Sequence, residues 1–509
     1  MTDKQKGIAR SGVIITLLIA VVIVVLSLLP TPKSGPAAVA ATEDKAAASA
    51  NCLTVPADFS TPAVIAATPP ESLWQHWQYG ASVNMSTTPV SALVDQPLAI
   101  RVSGLKPSEP VTLRASMPDD RNRTWSAQAT FLADDRGVVD VAHMAPRYGS
   151  YSGVHATGLI WSMLPQNVKN PQEILYAPAA GSYTIRLEAL ADSRILAQAT
   201  LNRTIQSSGV IKTSVNTNGL AGELYTPVTP GPHPAIIVLG GSEGGLYPQV
   251  NEAALLASHG YVALGLAYFQ GFENNEVGLA ALPQKLMDIP LEYFVKAADW
   301  LKQQPSVDPK HVAIMGWSKG AEAALITAAT FPKEFQAVIG FMPSSVVWSG
   351  INYGPGPISS SWTLHGKPLP WVNPVMNLAM FSSGKPLAFV SSHRAGLKDT
   401  SAVEKAAIPV EHIAGPVLLI SGGDDQIWPS PLMSEQIMQR LAAHHHAYND
   451  ESLCYAGAGH AILPPYRPTN ASVVTVPGGS FAFGGNPTAY AFADRDAWNK
   501  VLAFLHTAL

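Results

Sequence analysis

The 509-residue sequence predicts an all-β, immunoglobulin-like sandwich followed by an α/β domain with a mostly parallel sheet and flanking helices. Three observations carry this. Between Val94 and Arg203, short runs such as Leu98-Ala-Ile-Arg-Val102, Val111-Thr-Leu-Arg-Ala115 and Tyr183-Thr-Ile-Arg-Leu187 alternate apolar and polar residues between Gly, Pro and Asp turns. Beyond Gly209, apolar strands alternate with longer helical stretches. One of those strands, His311-Val-Ala-Ile-Met315, runs through Gly316-Trp-Ser-Lys-Gly320 into the helix-like stretch Ala321 to Ala329.

In chain order, the first element is a targeting segment over residues 1–30. Lys4, Lys6 and Arg10 precede an apolar run from Gly12 to Leu29 that is about the minimum length for a membrane-spanning helix. Both an uncleaved anchor and a signal segment cut near Ala38-Val39-Ala40 fit this pattern. Either way, the preceding cations stay in the cytoplasm and place the rest of the chain outside it. Residues 31–60, rich in Ala, Pro, Ser and Thr, form a linker. The sandwich is expected over 61–207. The α/β domain is expected over 208–509, with strands at Ala235–Leu239, Tyr261–Leu266, Val312–Met315, Ala337–Phe341 and Val417–Ile420.

Composition narrows the function. Hydrophobic residues make up 47% and charged residues 13%, enough for substantial cores. A formal charge of -4 without a cationic cluster excludes nucleic-acid binding as the expectation. Two cysteines, Cys52 and Cys454, leave open one bridge or two free thiols and exclude a multi-thiolate metal site. No metal or other cofactor is expected. His444-His-His446 follows a helix-like segment without ligand-spaced acids or thiols and is expected to form an exposed turn.

The pentapeptide around Ser318 is a nucleophile elbow in the strand and helix context that the α/β-hydrolase fold requires. The turn accepts only small flanking residues and lifts the serine hydroxyl clear of the sheet. An acid is expected after a later strand, and Pro416-Val-Leu-Leu-Ile420 leads to adjacent Asp424 and Asp425. Asp425 stands three residues after Gly422 and just before Trp428-Pro429, the spacing of the catalytic acid, and Asp424 is left as a turn residue. His460 completes the order Ser, Asp, His, with an imidazole suited to taking the serine proton. Ala235-Ile-Ile-Val-Leu239 runs into Gly240-Gly-Ser-Glu-Gly-Gly245, a loop whose backbone N–H groups are free to approach a carbonyl oxygen. One oxyanion donor is expected from Lys319, the other from Gly241 or Ser242. Trp317 is read either as acyl-pocket lining or as packing.

Several longer motifs in order give the chain a resemblance to the acyl-CoA thioesterase and bile acid-CoA:amino acid N-acyltransferase family. In the first domain these are Leu93-Val-Asp-Gln-Pro97, Val102 to Pro107, Thr124-Trp-Ser126, Asp135 to Asp140, and Gly149 to Gly153 leading to Gly158–Met163. In the second they are Leu282-Pro283, Ile289 to Phe294, Gly316 to Glu322, Asp424-Asp425, Gly459-His460, Phe483-Gly-Gly-Asn486 and Asp496-Ala-Trp498. The resemblance implies a β-sandwich, an α/β-hydrolase domain and a triad of Ser318, Asp425 and His460. Amidating members of that family use a cysteine nucleophile, so Ser318 points to water as acceptor. A catalytic domain outside the cytoplasm would not meet acyl-CoA, which leaves acyl thioesters and esters both open as small-molecule substrates. Transfer to an amine or alcohol is the second reading. A non-catalytic surface protein is the third, since fold does not guarantee activity.

Overall fold

The computed structural model describes residues 52–56, 68–80, 82–178, 181–247, 249–271, 279–352, 356–470, 472–476 and 479–509. The expected targeting segment over residues 1–30 and nearly all of the expected linker over 31–60 lie outside the described residues. Among the described residues, no helix is long and apolar enough to cross a membrane.

The first domain is a sandwich of two sheets. One contains Asn84–Thr88, Ala99–Ser103 and Val139–Asp140; the other is built around Pro110–Pro118, Thr124–Leu132, Ser182–Ala191 and Arg194–Thr204. Alternating residues point inward, so Ile100 and Val102 of one sheet meet Val111, Leu113, Trp125, Ile185 and Leu187 of the other in one buried cluster.

The second domain has, among the described residues, an eight-stranded sheet in the order β1-β2-β4-β3-β5-β6-β7-β8. Its strands are β1 (Val210–Thr217), β2 (Leu220–Pro227), β3 (His233–Leu239), β4 (Val262–Ala267), β5 (Val307–Trp317), β6 (Ala337–Phe341), β7 (Val417–Gly422) and β8 (Glu451–Tyr455). The β2 strand runs antiparallel to β1 and β4, and the remaining neighbours are parallel. This is the α/β-hydrolase fold. Helices α1 (Gln249–Ser258) and α5 (Pro487–Ala508) cover one face; α2 (Glu292–Lys302), α3 (Lys319–Thr330) and α4 (Ser430–Ala443) cover the other. Both faces are apolar, which is why β3, β4 and β7 read as continuous hydrophobic runs. Leu239 pairs with Gly316, and Gly316 with Gly340, so β3, β5 and β6 end together. A cap of short elements between β6 and β7 includes Trp362–Leu364, Val390–Gly396 and Thr400–Ala406.

The domains are stitched through Asp95, whose Oδ2 accepts from His259 Nε2 at 2.5 Å and Trp498 Nε1 at 2.9 Å. Arg203 Nη2 donates to the carbonyls of Val94 and Gln96 at 2.7 and 2.6 Å, shaping the same turn. The motif Leu93 to Pro97 is thus an interdomain joint. Cys52 and Cys454 form a disulfide. Beside it, Leu53 N–H donates to Cys454 O at 2.7 Å and Ala456 N–H to Leu53 O at 2.9 Å, which adds the incoming chain to the free edge of β8.

His444 and His445 are exposed, as an open turn requires. His446 departs from that expectation. Its side chain is buried, with Nδ1 bonded to Asp450 Oδ2 at 2.6 Å and Nε2 to Ile413 O at 2.7 Å. The last histidine of the run is therefore a structural clasp whose acid partner lies four residues on.

Candidate active site

Ser318 sits between β5 and α3 with φ 53° and ψ -117°, a left-handed conformation that costs a non-glycine residue energy and persists only where its surroundings hold it. Two flanking glycines make the turn possible. A Cβ on Gly316 would lie 2.2 Å from Gly320 O, and one on Gly320 would lie 2.2 Å from Gly240 O. The Ser318 N–H donates to Phe341 O at 2.8 Å, fixing the elbow to β6. Trp317 stacks on Phe341 with centroids 4.4 Å apart and donates from Nε1 to Ile462 O at 3.0 Å, so it packs beneath the elbow.

Three loops at the carboxyl end of the sheet bring Ser318, His460 and Asp425 together. His460 Nε2 is 2.9 Å from Ser318 Oγ, and His460 Nδ1 is 2.8 Å from Asp425 Oδ2. Since a carboxylate only accepts, the proton belongs on Nδ1, leaving Nε2 free to accept from the serine hydroxyl. Asp425 is itself held by four donors. Oδ2 also accepts from Ser430 Oγ at 2.6 Å, and Oδ1 accepts from the N–H groups of Ile427 at 2.9 Å and Trp428 at 3.2 Å. The imidazole is packed edge-on against Trp428 and Phe483.

Asp424 lies in the turn and does not reach His460. Its Oδ1 accepts from Gln426 Nε2 at 2.8 Å and its Oδ2 from Gly485 N–H at 2.9 Å. His460 N–H donates to Phe483 O at 2.9 Å, so the Phe483 to Asn486 motif bridges the acid turn and the histidine loop. Asn486 then caps α5 through the Ala489 N–H.

The expected oxyanion donors fare differently. Lys319 occupies the first position of α3, where its backbone N–H has no intrahelical acceptor. The Gly241 N–H is engaged: it donates to Glu243 Oε1 at 2.6 Å. Ser242 follows on the same loop and is half-buried. The loop is braced by Tyr268 Oη, which donates to the carbonyls of Gly240 and Gly241 at 2.8 and 3.0 Å.

Sequence reasoning overlooked three residues here. Ser430 binds the acid, and its signal is a hydroxyl at a helix start directly after Trp428-Pro429. Glu243 binds the Gly-rich loop after β3 through the Gly241 N–H. Glu322, fully buried, accepts from Lys319 Nζ at 2.7 and 2.8 Å, Trp348 N–H at 3.1 Å and Trp362 Nε1 at 2.8 Å, tying α3, the helix after Ser318, to the cap. Their signal is the i, i+3 spacing on one helix face. Burial lowers the Lys319 ammonium pKa, and Glu322 opposes that shift. Among the described residues no cluster of His, Cys, Asp and Glu could hold a metal ion.

Comparison with known proteins places the chain in a family. Residues 95–217 match the acyl-CoA thioester hydrolase/BAAT N-terminal region, and 289–509 match the BAAT/acyl-CoA thioester hydrolase C-terminal domain. Residues 220–354 also match the dienelactone hydrolase family. Acyl-coenzyme A thioesterase 6 of Homo sapiens is 32% identical over 423 residues, 82% of this chain and 94% of the human protein. Acyl-coenzyme A thioesterase 2, mitochondrial, of Mus musculus is 31% identical over 82% of this chain and 87% of its own length. Acyl-coenzyme A amino acid N-acyltransferase 1 of Mus musculus is 30% identical over 84% of this chain and 98% of its own length. With both domains matched in order and relatives at this identity aligned over most of their length, the chain belongs to the acyl-CoA thioester hydrolase/BAAT family.

Proposed function

We propose that this protein is a serine hydrolase that cleaves acyl thioesters, and secondarily esters, through an acyl-enzyme on Ser318. The hydrogen-bonded chain from Ser318 Oγ through His460 to Asp425 carries the reading. His460 takes the hydroxyl proton as Oγ attacks the carbonyl, Asp425 stabilises the imidazolium, and the proton passes to the departing thiolate or alkoxide. Water then attacks the acyl-enzyme with His460 again as base. Serine at the nucleophile position supports hydrolysis over amide formation. The purified protein should release free acid from acyl-CoA thioesters and p-nitrophenyl esters of graded chain length, in amounts a competing amine does not reduce. Amide as the main product would assign the chain to the transferases.

We further propose that the catalytic domain works outside the cytoplasm. Two independent features support this: cations before an apolar N-terminal run, and the Cys52–Cys454 disulfide, a bond that persists in oxidising compartments. Thiol alkylation of intact cells, before and after reduction, should find both cysteines protected until reductant is added. Immediate alkylation of both would place the domain in a reducing compartment. Outside the cytoplasm the thioester carrier need not be CoA, and the substrate is best described by its acyl carbonyl.

A further inference from the structure

The loop after β3 presents a carboxylate where the reaction needs donors. Glu243 Oε1 takes the Gly241 N–H at 2.6 Å. The point a Cβ on Gly241 would occupy is 2.8 Å from Glu243 Oε2 and 3.3 Å from Ser318 Cβ, so the carboxylate lies beside the nucleophile. We propose that Glu243 is the stopper of the oxyanion pocket: without substrate its carboxylate holds the Gly241 N–H next to Ser318, and acylation proceeds only when it is neutralised or displaced. The proposal rests on reading Ser318 as the nucleophile.

The physical reason is competition for one donor. A substrate carbonyl oxygen that gains negative charge on attack needs the N–H that the carboxylate holds, and it would develop that charge beside an existing one. A protonated Glu243 removes both obstacles, because a neutral carboxyl is a weaker acceptor and carries no charge.

Its surroundings favour neutralisation. Burial raises the Glu243 pKa above the ordinary carboxylate range, while the Gly241 N–H, its own N–H and His460 pull it down. Gln249 of α1 contributes a buried Oε1 without a donor among the described residues. That oxygen and Glu243 Oε1 lie 2.6 and 2.7 Å from the point a Cβ on Gly240 would take. Among the described residues Gln249 Oε1 is therefore an unsatisfied acceptor near the Glu243 carboxylate, and a proton on Glu243 would lessen the clustering of acceptors there. Glu252, one turn along α1, adds a second acid nearby. Burial pushes it up to about 7, Arg467 opposes the shift and Glu243 adds to it. The titratable groups around Glu243 include His460 and Glu252, which act on it or are acted on by it electrostatically, and Tyr268, whose hydroxyl holds the Gly240 and Gly241 carbonyls of the same loop; Arg467 acts on Glu252.

The test is the second-order rate of Ser318 labelling by a fluorophosphonate in wild type, Glu243→Gln, Glu243→Ala and Glu252→Gln between pH 5 and 9. Glu243→Gln preserves shape and removes the charge. It should label about tenfold faster than wild type at the alkaline end, the difference between a charge-assisted and a neutral hydrogen bond. The advantage should shrink as falling pH adds a proton to wild-type Glu243, whose pKa burial raises. Glu243→Ala should follow the same trend, and Glu252→Gln should stay close to wild type. Should the alanine variant fail to fold, the glutamine variant alone decides. Equal or slower labelling of Glu243→Gln across the range, with wild type labelled on Ser318, overturns the stopper and leaves the nucleophile reading standing. So does a pH dependence that survives in Glu243→Gln and disappears in Glu252→Gln. Absence of labelling in every protein overturns the nucleophile reading and the stopper with it.

Discussion

Ser318→Ala is expected to lower kcat/KM for the preferred acyl substrate by about 10⁶-fold while leaving the fold intact. The hydroxyl is the only part of the residue that the chemistry uses, and what the fold needs from position 318 is its backbone: the φ of 53° and the N–H held by Phe341 O. Alanine accepts that geometry at a cost similar to that of serine. The variant keeps the Lys319 N–H at the start of α3, so a residual rate about 10³- to 10⁴-fold above the uncatalysed reaction should persist. His460→Ala should fall to a comparable level, and the double variant should be little worse, because the two groups act as one unit. Steady-state rates with circular dichroism of each variant check this. A single variant that retains activity within tenfold of wild type would contradict it.

Asp425→Asn is the second large effect, a loss of about 10⁴-fold in kcat. All the polar contacts named for Asp425 are donors: His460 Nδ1 and Ser430 Oγ on one oxygen, two backbone N–H groups on the other. An asparagine NH2 must face one of these pairs. Turned toward the imidazole, it forces the proton onto Nε2, where it blocks acceptance from Ser318. Turned toward Ile427 and Trp428, it sets donors against donors in a buried turn, at about 1–3 kcal/mol of stability. Activity and the denaturation midpoint should therefore both fall. Asp424→Asn, whose side chain contacts Gln426 and Gly485 instead, should stay within about tenfold of wild type. Equal losses for the two variants would contradict the assignment of the acid.

The parts legible in the sequence are those whose signal is local. Strands β3 to β7 announced themselves as apolar runs because both faces of the sheet are covered. The meeting of Ser318, Asp425 and His460 could be anticipated because each stands at a strand end with a short signature around it. The edge hairpin β1–β2 lacks such a signal, since β1 is mostly exposed and carries no continuous apolar stretch. Contacts across long separations that carry no local signature leave no trace in the sequence. Cys52 and Cys454 are 402 positions apart, and nothing near either cysteine records that the first strand-like residues join β8. Asp95 meets Trp498 from the opposite end of the chain. In the Gly-rich loop the absent side chains are the legible signal, and nothing local marks that its charged residue, Glu243, turns back onto the Gly241 N–H. His446 shares its local sequence with two exposed histidines, and only its contacts with Ile413 and Asp450 set it apart.

The most direct test mixes the enzyme with an acyl thioester for milliseconds, quenches it in acid and maps the peptides by mass spectrometry. An acyl-enzyme mechanism places one acyl increment on the peptide bearing Ser318, absent from Ser318→Ala. Turnover with that peptide unmodified at every time point, or an increment on another residue, would contradict the account.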